Sequence, residues 1–503
     1  MSDQTMTFLF KFLEVLAAGI VVLLGVGVIL IAILFVIDRF QRKHAIRRNY
    51  PVIGRFRYFF ETMGEFFRQY FFAMDREELP FNRAQRSWAY RAAKDLDNTV
   101  AFGSTRDLRP TGTVIFVNTP FPTLGEDAVP DKPLVIGPSA RKPFTAHSFF
   151  NISGMSYGAI SRPAVRALSQ GAKMAGCWLN TGEGGLAPYH LEGGCDVVFQ
   201  IGTAKNGVRD YDGNLSDDKI KEVAAHEQVR MFELKLSQGA KPGKGGILPG
   251  GKVTEEIAKI RGLRPGEDAI SPNRHPEIKT VTELMDLIHH VREVSGKPVG
   301  IKTVVGDIDW IDDLFAEVHK RGVESAPDFI TVDGGDGGTG AAPMALIDDV
   351  GLPLREALPM VVDKLIEWKL RDRIRVIASG KLINPSDVAW ALCTGTDFVV
   401  TARGFMFALG CIQALQCNKN TCPTGITTHD PDLQRGLVPE DKAVRVYNFH
   451  KNMVKEVGII AHSCGARSPR GLKRSNARIV TETGRSIPLS KLFPEPTTGA
   501  RLN

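Results

Sequence analysis

Residues 328–343 read DFITVDGGDGGTGAAP. The opening DFITVD is short and rich in β-branched and apolar side chains, the composition of a buried strand. It runs directly into glycines, where the absence of a Cβ lets backbone amides come close to a flat ring or a phosphate. Working outward, the same unit recurs. The runs FFNIS (149–153), WLNTG (178–182), VVFQIG (197–202), VRMFELKL (229–236), VGIKTV (299–304), IRVIASG (374–380) and DFVVTAR (397–403) bring the strand count to eight. Amphipathic stretches at 162–175, 308–322 and 384–394 separate several of them. Strand–helix alternation argues for a parallel sheet with helical crossovers. Eight units over roughly 250 residues predict an α/β fold of the (β/α)8 TIM-barrel type. A doubly wound open sheet is the alternative, but no GxGxxG opens a helix after the first strand.

In such a barrel, ligands sit where strands end and helices begin. The glycine clusters fall at those positions: SGMSYGAIS (153–161), NTGEGGL (180–186), QGAKPGKGGILPGGKV (238–253), DGGDGGTGAAP (333–343), SGK (379–381) and ARG (402–404). Glycine totals 50 of 503 residues, well above the usual share of about 7%. A hydrophobic fraction of 43% and a charged fraction of 24% exclude a disordered or coiled-coil chain. The net charge of +7 shows no basic stripe with interleaved aromatics, so no nucleic-acid partner is expected. Seven cysteines are too sparse for a disulfide scaffold.

The N-terminal run Val15–Ile37 carries no charge and as a helix would extend ~35 Å, against a hydrocarbon core of about 30 Å. Asp38 and Arg39 follow, then Arg42, Lys43, Arg47 and Arg48. We expect a retained single-pass transmembrane helix rather than a cleaved signal peptide, with the body of the chain on the cytoplasmic side by the positive-inside rule. Residues 51–75, PVIGRFRYFFETMGEFFRQYFFAMD, form an aromatic-rich helical extension. It reads equally as an interfacial helix or as a helix packed on the body or on a second subunit. The expected divisions are an anchor with its basic flank (1–48), the helical extension (49–142), the barrel (143–426) and a C-terminal extension packed on it (427–503).

Five stretches carry a resemblance: GMSYGAISRPAV (154–165), LNTGEGG (179–185), LKLSQGAKPGKGGILPG (234–250), FITVDGGDGGTGAAP (329–343) and ALGCIQALQCNKNTCPTGI (408–426). On these, residues 149–426 resemble the FMN-binding synthase domain of glutamate synthase, in its stand-alone, membrane-anchored form. The resemblance implies a (β/α)8 barrel, an FMN, a [3Fe–4S] cluster, and reductive amination of 2-oxoglutarate to glutamate. Cys411, Cys417 and Cys422 are spaced C-x5-C-x4-C and followed by Pro423, unlike the four-cysteine ferredoxin run C-x2-C-x2-C-x3-C-P. Three thiolates suit a cluster that lacks one corner iron. Spacing alone fits three buried thiols equally well, and the resemblance favours the cluster.

By the same resemblance, Lys235, Gln238 and Arg261 bind substrate, and Lys241 and Glu183 act in catalysis, Glu183 by holding ammonium or passing a proton to the imine. Ser153, Gly154, Met155, Ser156, Asn180 and Thr181 are expected around the flavin, with Lys302 facing inward near its N1–C2=O edge. Asp336, Gly337, Gly338, Thr339, Gly380, Lys381, Arg403 and Gly404 are the phosphate-end candidates. There, ARGF departs from the family's small-residue pattern. No N-terminal cysteine nucleophile and no nicotinamide module are present. We therefore expect ammonia or a separate glutaminase subunit as nitrogen source and an external electron donor, a ferredoxin or a reductase subunit. The competing readings are a membrane-tethered flavin and iron–sulfur electron-transfer subunit and an enzyme like N-methylglutamate synthase. A 2-hydroxy acid oxidase would need a histidine near the seventh strand, and IRVIASGK has none.

Overall fold

The computed structural model describes residues 3–210 and 212–502. The chain forms two compact units, 1–84 and 85–503.

The larger unit is built on a closed parallel barrel. Its strands are β1 (Phe150–Ile152), β2 (Leu179–Asn180), β3 (Val197–Ile201), β4 (Val229–Lys235), β5 (Val299–Val304), β6 (Phe329–Asp333), β7 (Arg375–Ser379) and β8 (Phe398–Thr401). Each lies inside one of the eight runs read from the sequence. Neighbours in sequence are neighbours in space, and β8 closes on β1 with Val399 opposite Phe150. The crossover helices are bounded by ordinary capping chemistry. The helix Arg162–Ala175 starts where the Ser161 side chain accepts from the Ala164 amide and ends on Gly176. The helix Pro385–Thr394 is capped by Asn384, whose side chain accepts from the Asp387 amide.

Side chains on each strand alternate between the barrel interior and the helical shell. The lower interior is apolar. Trp178, Val198, Met231, Phe329, Ile377, Phe398 and Val400 form one buried cluster with Ile136, Phe144 and Ala146. These last three belong to an antiparallel hairpin, Leu134–Ile136 with Phe144–Ala146, which plugs the N-terminal mouth. Trp178 packs edge-on against both Phe398 (5.1 Å between ring centroids) and Phe144 (6.3 Å). Apolar side chains therefore occupy the lower barrel and leave chemistry to the upper end.

Outside the barrel, the helix Pro439–Ser463 packs along Arg162–Ala175, and Trp88 meets Phe449 on that helix edge-on at 5.7 Å. Helix in the extension reaches only to Ala93. Beyond it, a proline- and glycine-rich stretch gives short strands instead. Val114–Phe116 pairs with Ala477–Val480, which pairs with Ser486–Pro488, so the extension and the C-terminal tail share one antiparallel sheet.

The smaller unit contains the helix Asp3–Phe40, of 38 residues, and the helix Gly54–Phe67. Among the described residues the span Met6–Phe40 is the one helix long and apolar enough to cross a membrane, and none of its most apolar window is buried. The side chain of Phe66 lies outside the described residues.

Candidate active site

Ser153, Asn180 and Lys302, three of the expected flavin residues, line one interior cavity just above the apolar plug, together with Glu233 and Thr331. Glu233 is the hub of this layer. Its Oε1 accepts from Asn180 Nδ2 (2.8 Å) and Gln200 Nε2 (2.7 Å), and its Oε2 from Thr331 Oγ1 (2.6 Å). Lys302 faces inward, as expected, and its Nζ lies 3.3 Å from Asp333, which also accepts from the Gly239 amide (3.0 Å). Burial opposes the Lys302 charge, but Asp333 and Glu233 outweigh it and leave its pKa raised. Glu233, Gln200, Thr331 and Asp333 were not anticipated from the sequence. The available signal was a polar residue at inward-facing positions of otherwise apolar strands, a costly placement unless each group is bonded.

The rim at the C-terminal mouth gathers the expected substrate set. Lys235 ends β4 and its Nζ lies 2.9 Å from Glu183. The same ammonium donates to Gln238, whose Nε2 donates to Gly338 O (3.2 Å). Glu183 sits on the turn Gly182–Gly184, bedded against two glycines. A Cβ on Gly202 would lie 2.6 Å from the Glu183 Cβ, and one on Gly246 would lie 2.3 Å from its Oε1. Glycine is required at both positions for the carboxylate to sit there. Burial raises the Glu183 pKa, but the charges of Lys235, Lys241 and Arg261 together pull it below the usual carboxylate range. Lys241 is buried, and burial followed by the Lys235 charge lowers its pKa to about 8, with Glu183 opposing. Arg261 ends the helix Glu255–Arg261 and is buried, which lowers its pKa to about 10; its Nη2 donates to Tyr157 O (3.1 Å). Three buried cations thus surround one carboxylate.

The loop after β1 is held by its carbonyl groups. His190 Nε2 donates to Met155 O (3.0 Å), Arg261 to Tyr157 O, His429 Nε2 to Gly158 O (2.8 Å) and Lys252 Nζ to Ala159 O (2.8 Å). The Ala187 amide donates to His190 Nδ1 (3.1 Å), and burial lowers this imidazole's pKa to about 4, so it works as a neutral donor. Within the loop, the Met155 amide donates to Asn180 O (3.0 Å), and Ser156 O accepts from the amides of Ala159 and Ile160. Gly154 abuts Gly182. Thr181 does not face the cavity side of this network with a free hydroxyl: its Oγ1 donates to Gly182 O (2.9 Å) and accepts from the Gln200 amide (3.1 Å).

At the ends of β6, β7 and β8, Lys381 lies 3.9 Å from Asp336, which also caps the Leu354 amide (3.2 Å). Gly380 and Lys381 both have positive φ (131° and 52°). A Cβ on Gly338 would come within 2.6 Å of Arg403 Nε, so the arginine occupies space that glycine leaves. Burial lowers the Arg403 pKa to about 10 against the pull of Asp333 and Asp336. Lys381, Arg403 and Gly338 therefore converge. Other candidates are engaged elsewhere. The Gly337 amide bonds Gly334 O, the Thr339 hydroxyl reaches Ala341 O (3.4 Å), and Gly404 packs on Phe449 with its amide on Thr401 Oγ1 (3.3 Å).

Cys411, Cys417 and Cys422 lie on one loop after the helix Arg403–Leu409. Groups from outside it grip its backbone: Tyr90 Oη donates to Cys411 O (2.7 Å), Arg86 Nη1 to Ile412 O (3.4 Å) and Lys252 Nζ to Cys417 O (3.3 Å). The loop is tightly wound, with Leu415 and Asn420 at φ near 54° and 60°. The three thiols are within electrostatic reach of one another. Among the described residues, however, no three His, Cys, Asp or Glu side chains converge to metal-ligating geometry. As placed, Cys411 Sγ accepts from the Gln413 amide (3.4 Å) and Cys422 Sγ pairs with Thr424 Oγ1 (3.3 Å). The donor set suits a thiolate-bound cluster in number and chemistry, but its geometry here is open.

Residues 126–467 match the conserved region in glutamate synthase. The chain is 40% identical over 517 aligned positions to the glutamate synthase large subunit-like protein YerD of Bacillus subtilis, covering 95% of this chain and 98% of that one. It is 34% identical to the archaeal-type glutamate synthase [NADPH] of Thermotoga maritima over 66% of this chain and 62% of that protein. Among solved structures, the flavin-binding domain of baker's yeast flavocytochrome b2 aligns at 14% identity and a TM-score of 0.44, covering 82% of this chain and 85% of that one.

Proposed function

Since this chain belongs to the glutamate synthase family of oxidoreductases, we propose that it is an FMN- and iron–sulfur-dependent enzyme that converts 2-oxoglutarate, ammonia and reducing equivalents from an external donor into L-glutamate. The observation that carries this reading is the cationic surplus at the C-terminal mouth: Lys235, Lys241 and Arg261 around the single carboxylate of Glu183. An excess of buried cations costs free energy unless an anion completes it, and a dicarboxylate fits that need.

The residues divide the work. Arg261 and Lys241 bind the substrate carboxylates, the guanidinium offering a planar fork and the ammonium a point charge. Lys235, tied to both Glu183 and Gln238, holds these two side chains in register. Glu183, ionised in this field, holds ammonium beside the keto carbon and moves a proton to or from nitrogen as the 2-imino acid forms and water leaves. Ser153, Asn180, Lys302 and the Glu233 network would hold the flavin ring, and Lys381 and Arg403 its phosphate. FMN, when bound, supplies hydride to the imine carbon. Lys302 places a fixed positive charge in the barrel interior, where a reduced ring carries negative charge. A [3Fe–4S] cluster on Cys411, Cys417 and Cys422 would relay single electrons from the external donor, a ferredoxin or a reductase subunit. Ammonia enters directly or from a separate glutaminase subunit. The helix Met6–Phe40 anchors the enzyme by one membrane span with the barrel facing the cytoplasm.

Anaerobic isolation followed by addition of 2-oxoglutarate, ammonium and an artificial reductant tests this. Glutamate formed by the wild type and lost in Lys241→Ala and Glu183→Ala supports the proposal. Bound flavin and iron without turnover would replace it with an electron-transfer role. A preparation that binds neither group after reconstitution would sink both readings.

A further inference from the structure

The end of the long apolar helix carries a buried ionic clamp. Asp38, two residues before the helix ends at Phe40, is fully buried. Its carboxylate accepts from Arg47 Nη2 (2.7 Å) and Nε (2.9 Å), from Arg55 Nε (2.7 Å) and Nη2 (2.9 Å), and from the Val52 amide (3.1 Å). Two forked guanidinium pairs on one carboxylate fix direction as well as distance. Arg55 belongs to the first turn of the helix Gly54–Phe67, so this helix starts at the level where the apolar helix stops. Gly54 makes the turn possible, because a Cβ there would meet Ile46 O at 2.8 Å.

The helix fixed at this level is amphipathic. At 100° per residue, Phe56, Phe59, Phe60, Met63 and Phe67 project within an arc of ~100°, while Arg55, Arg57, Tyr58, Glu61 and Thr62 occupy the remainder. Phe56, Phe59 and Phe60 are 57%, 54% and 63% exposed. Their rings form one continuous patch, with centroids 6.3 Å apart for Phe56–Phe60 and 5.3 Å for Phe59–Phe60. Arg39, Arg42, Lys43 and Arg48, on the chain shortly before it, are exposed. A second copy meeting this patch would bring two basic flanks together; anionic lipid headgroups complement them.

We propose that Gly54–Phe67 lies flat in the headgroup region of a phospholipid bilayer, aromatic face inward, with the Asp38 clamp setting its depth. This rests on the reading of Met6–Phe40 as a membrane span, and continuity with that span selects lipid as the occupant of the aromatic face.

The test uses the full chain in vesicles of phosphatidylcholine and phosphatidylglycerol whose acyl chains are brominated near the headgroup or near the bilayer centre. Leu23→Trp reports on the span and Phe59→Trp on the helix, each read as the emission added to the five native tryptophans. The expected result is Leu23→Trp quenched by deep bromines and Phe59→Trp quenched roughly twofold more by shallow bromines than by deep ones. Adding Asp38→Asn should reduce the shallow quenching at position 59 and leave position 23 unchanged. If Leu23→Trp is quenched while Phe59→Trp is not, the interfacial helix is refuted and the span stands; an oligomer that buries position 59 away from lipid gives this same refuting pattern. If neither reporter is quenched, the span itself is wrong, and the proposal falls with it. Unchanged shallow quenching in Asp38→Asn would overturn the clamp as the depth determinant.

Discussion

The two mouths of the barrel are made from the same eight strands but satisfy charge in different ways. At the N-terminal mouth two buried carboxylates are each clasped by two guanidinium groups. Asp328, just before β6, accepts from the Val299 amide (2.8 Å) and pairs with Arg292 (3.1 Å) and Arg373 (3.0 Å). Asp397, just before β8, accepts from the Val376 amide (2.8 Å) and pairs with Arg371 (2.9 Å) and Arg375 (3.6 Å). These groups staple neighbouring strands over the apolar plug. At the C-terminal mouth three cations share Glu183, and Lys241 in particular is held charged against both burial and a neighbouring ammonium. At one end the guanidinium groups are closed by carboxylates and backbone carbonyls together and serve folding. Three cations sharing one carboxylate at the other are a standing cost that a bound anion relieves, and such strain belongs at a site.

The contrast can be broken or sharpened by substitution. The largest effect is expected for Lys241→Met, which should lower kcat/KM for the keto acid by ~10³-fold, within the range for loss of a buried charged contact. The apo protein should melt at the same temperature or higher, because a disfavoured charge is gone. A large drop in Tm would mean that Lys241 is structural and that the two mouths are alike. Asp328→Ala is the mirror experiment. It leaves two buried guanidinium groups without their carboxylate and should cost about 3–5 kcal/mol in urea unfolding. KM of the folded fraction should not move, and a KM change would erase the division.

Lys252→Met should act between these extremes. Losing its bonds to Ala159 O and Cys417 O leaves two carbonyls without this donor, at about 1–3 kcal/mol. Faster amide exchange should appear together in 155–161 and 411–426, and acceleration in only one loop would show that Lys252 does not couple them. The smallest effect is that of pH. With the Lys241 pKa lowered from 10.5 to about 8 in the folded chain, kcat/KM should fall above about pH 8 as the ammonium is lost, by about tenfold per pH unit. Between about 8 and 10.5 the unfolded chain binds the proton more tightly, so this group makes stability rise with pH in that window. Comparing pH-dependent urea melts of wild type and Lys241→Met isolates its share; identical slopes would contradict the assignment.

Much of this was legible in the sequence. Each β-rich run from FFNIS to DFVVTAR became a barrel strand, because short apolar runs ending in glycine have few other ways to bury themselves. Lys302 faces inward with a carboxylate partner, as its place in an apolar strand requires. Glu183, Lys235, Gln238, Lys241 and Arg261 converge although they follow two different strands, β2 and β4, Arg261 by way of the helix Glu255–Arg261. Less could be read where partners are distant in sequence. Glu233 and Thr331 meet across the barrel, Lys252 reaches Cys417, and strand 114–116 pairs with 477–480. Nothing local to these residues names the partner. The Thr181 hydroxyl bonds Gly182 O and the Gln200 amide, and Gly404 packs on Phe449, contacts that their motifs do not name.

Local composition alone was enough to specify the eight-fold alternation, the glycine-lined end and the apolar N-terminal helix, since each depends on near-neighbour periodicity and on what a bare Cα permits. The tertiary structure decided which charges balance and which do not. Net field at a site is a sum over side chains brought together by closure of the barrel, and that sum, three cations on Glu183 against two on Asp328, exists only once β8 has paired with β1.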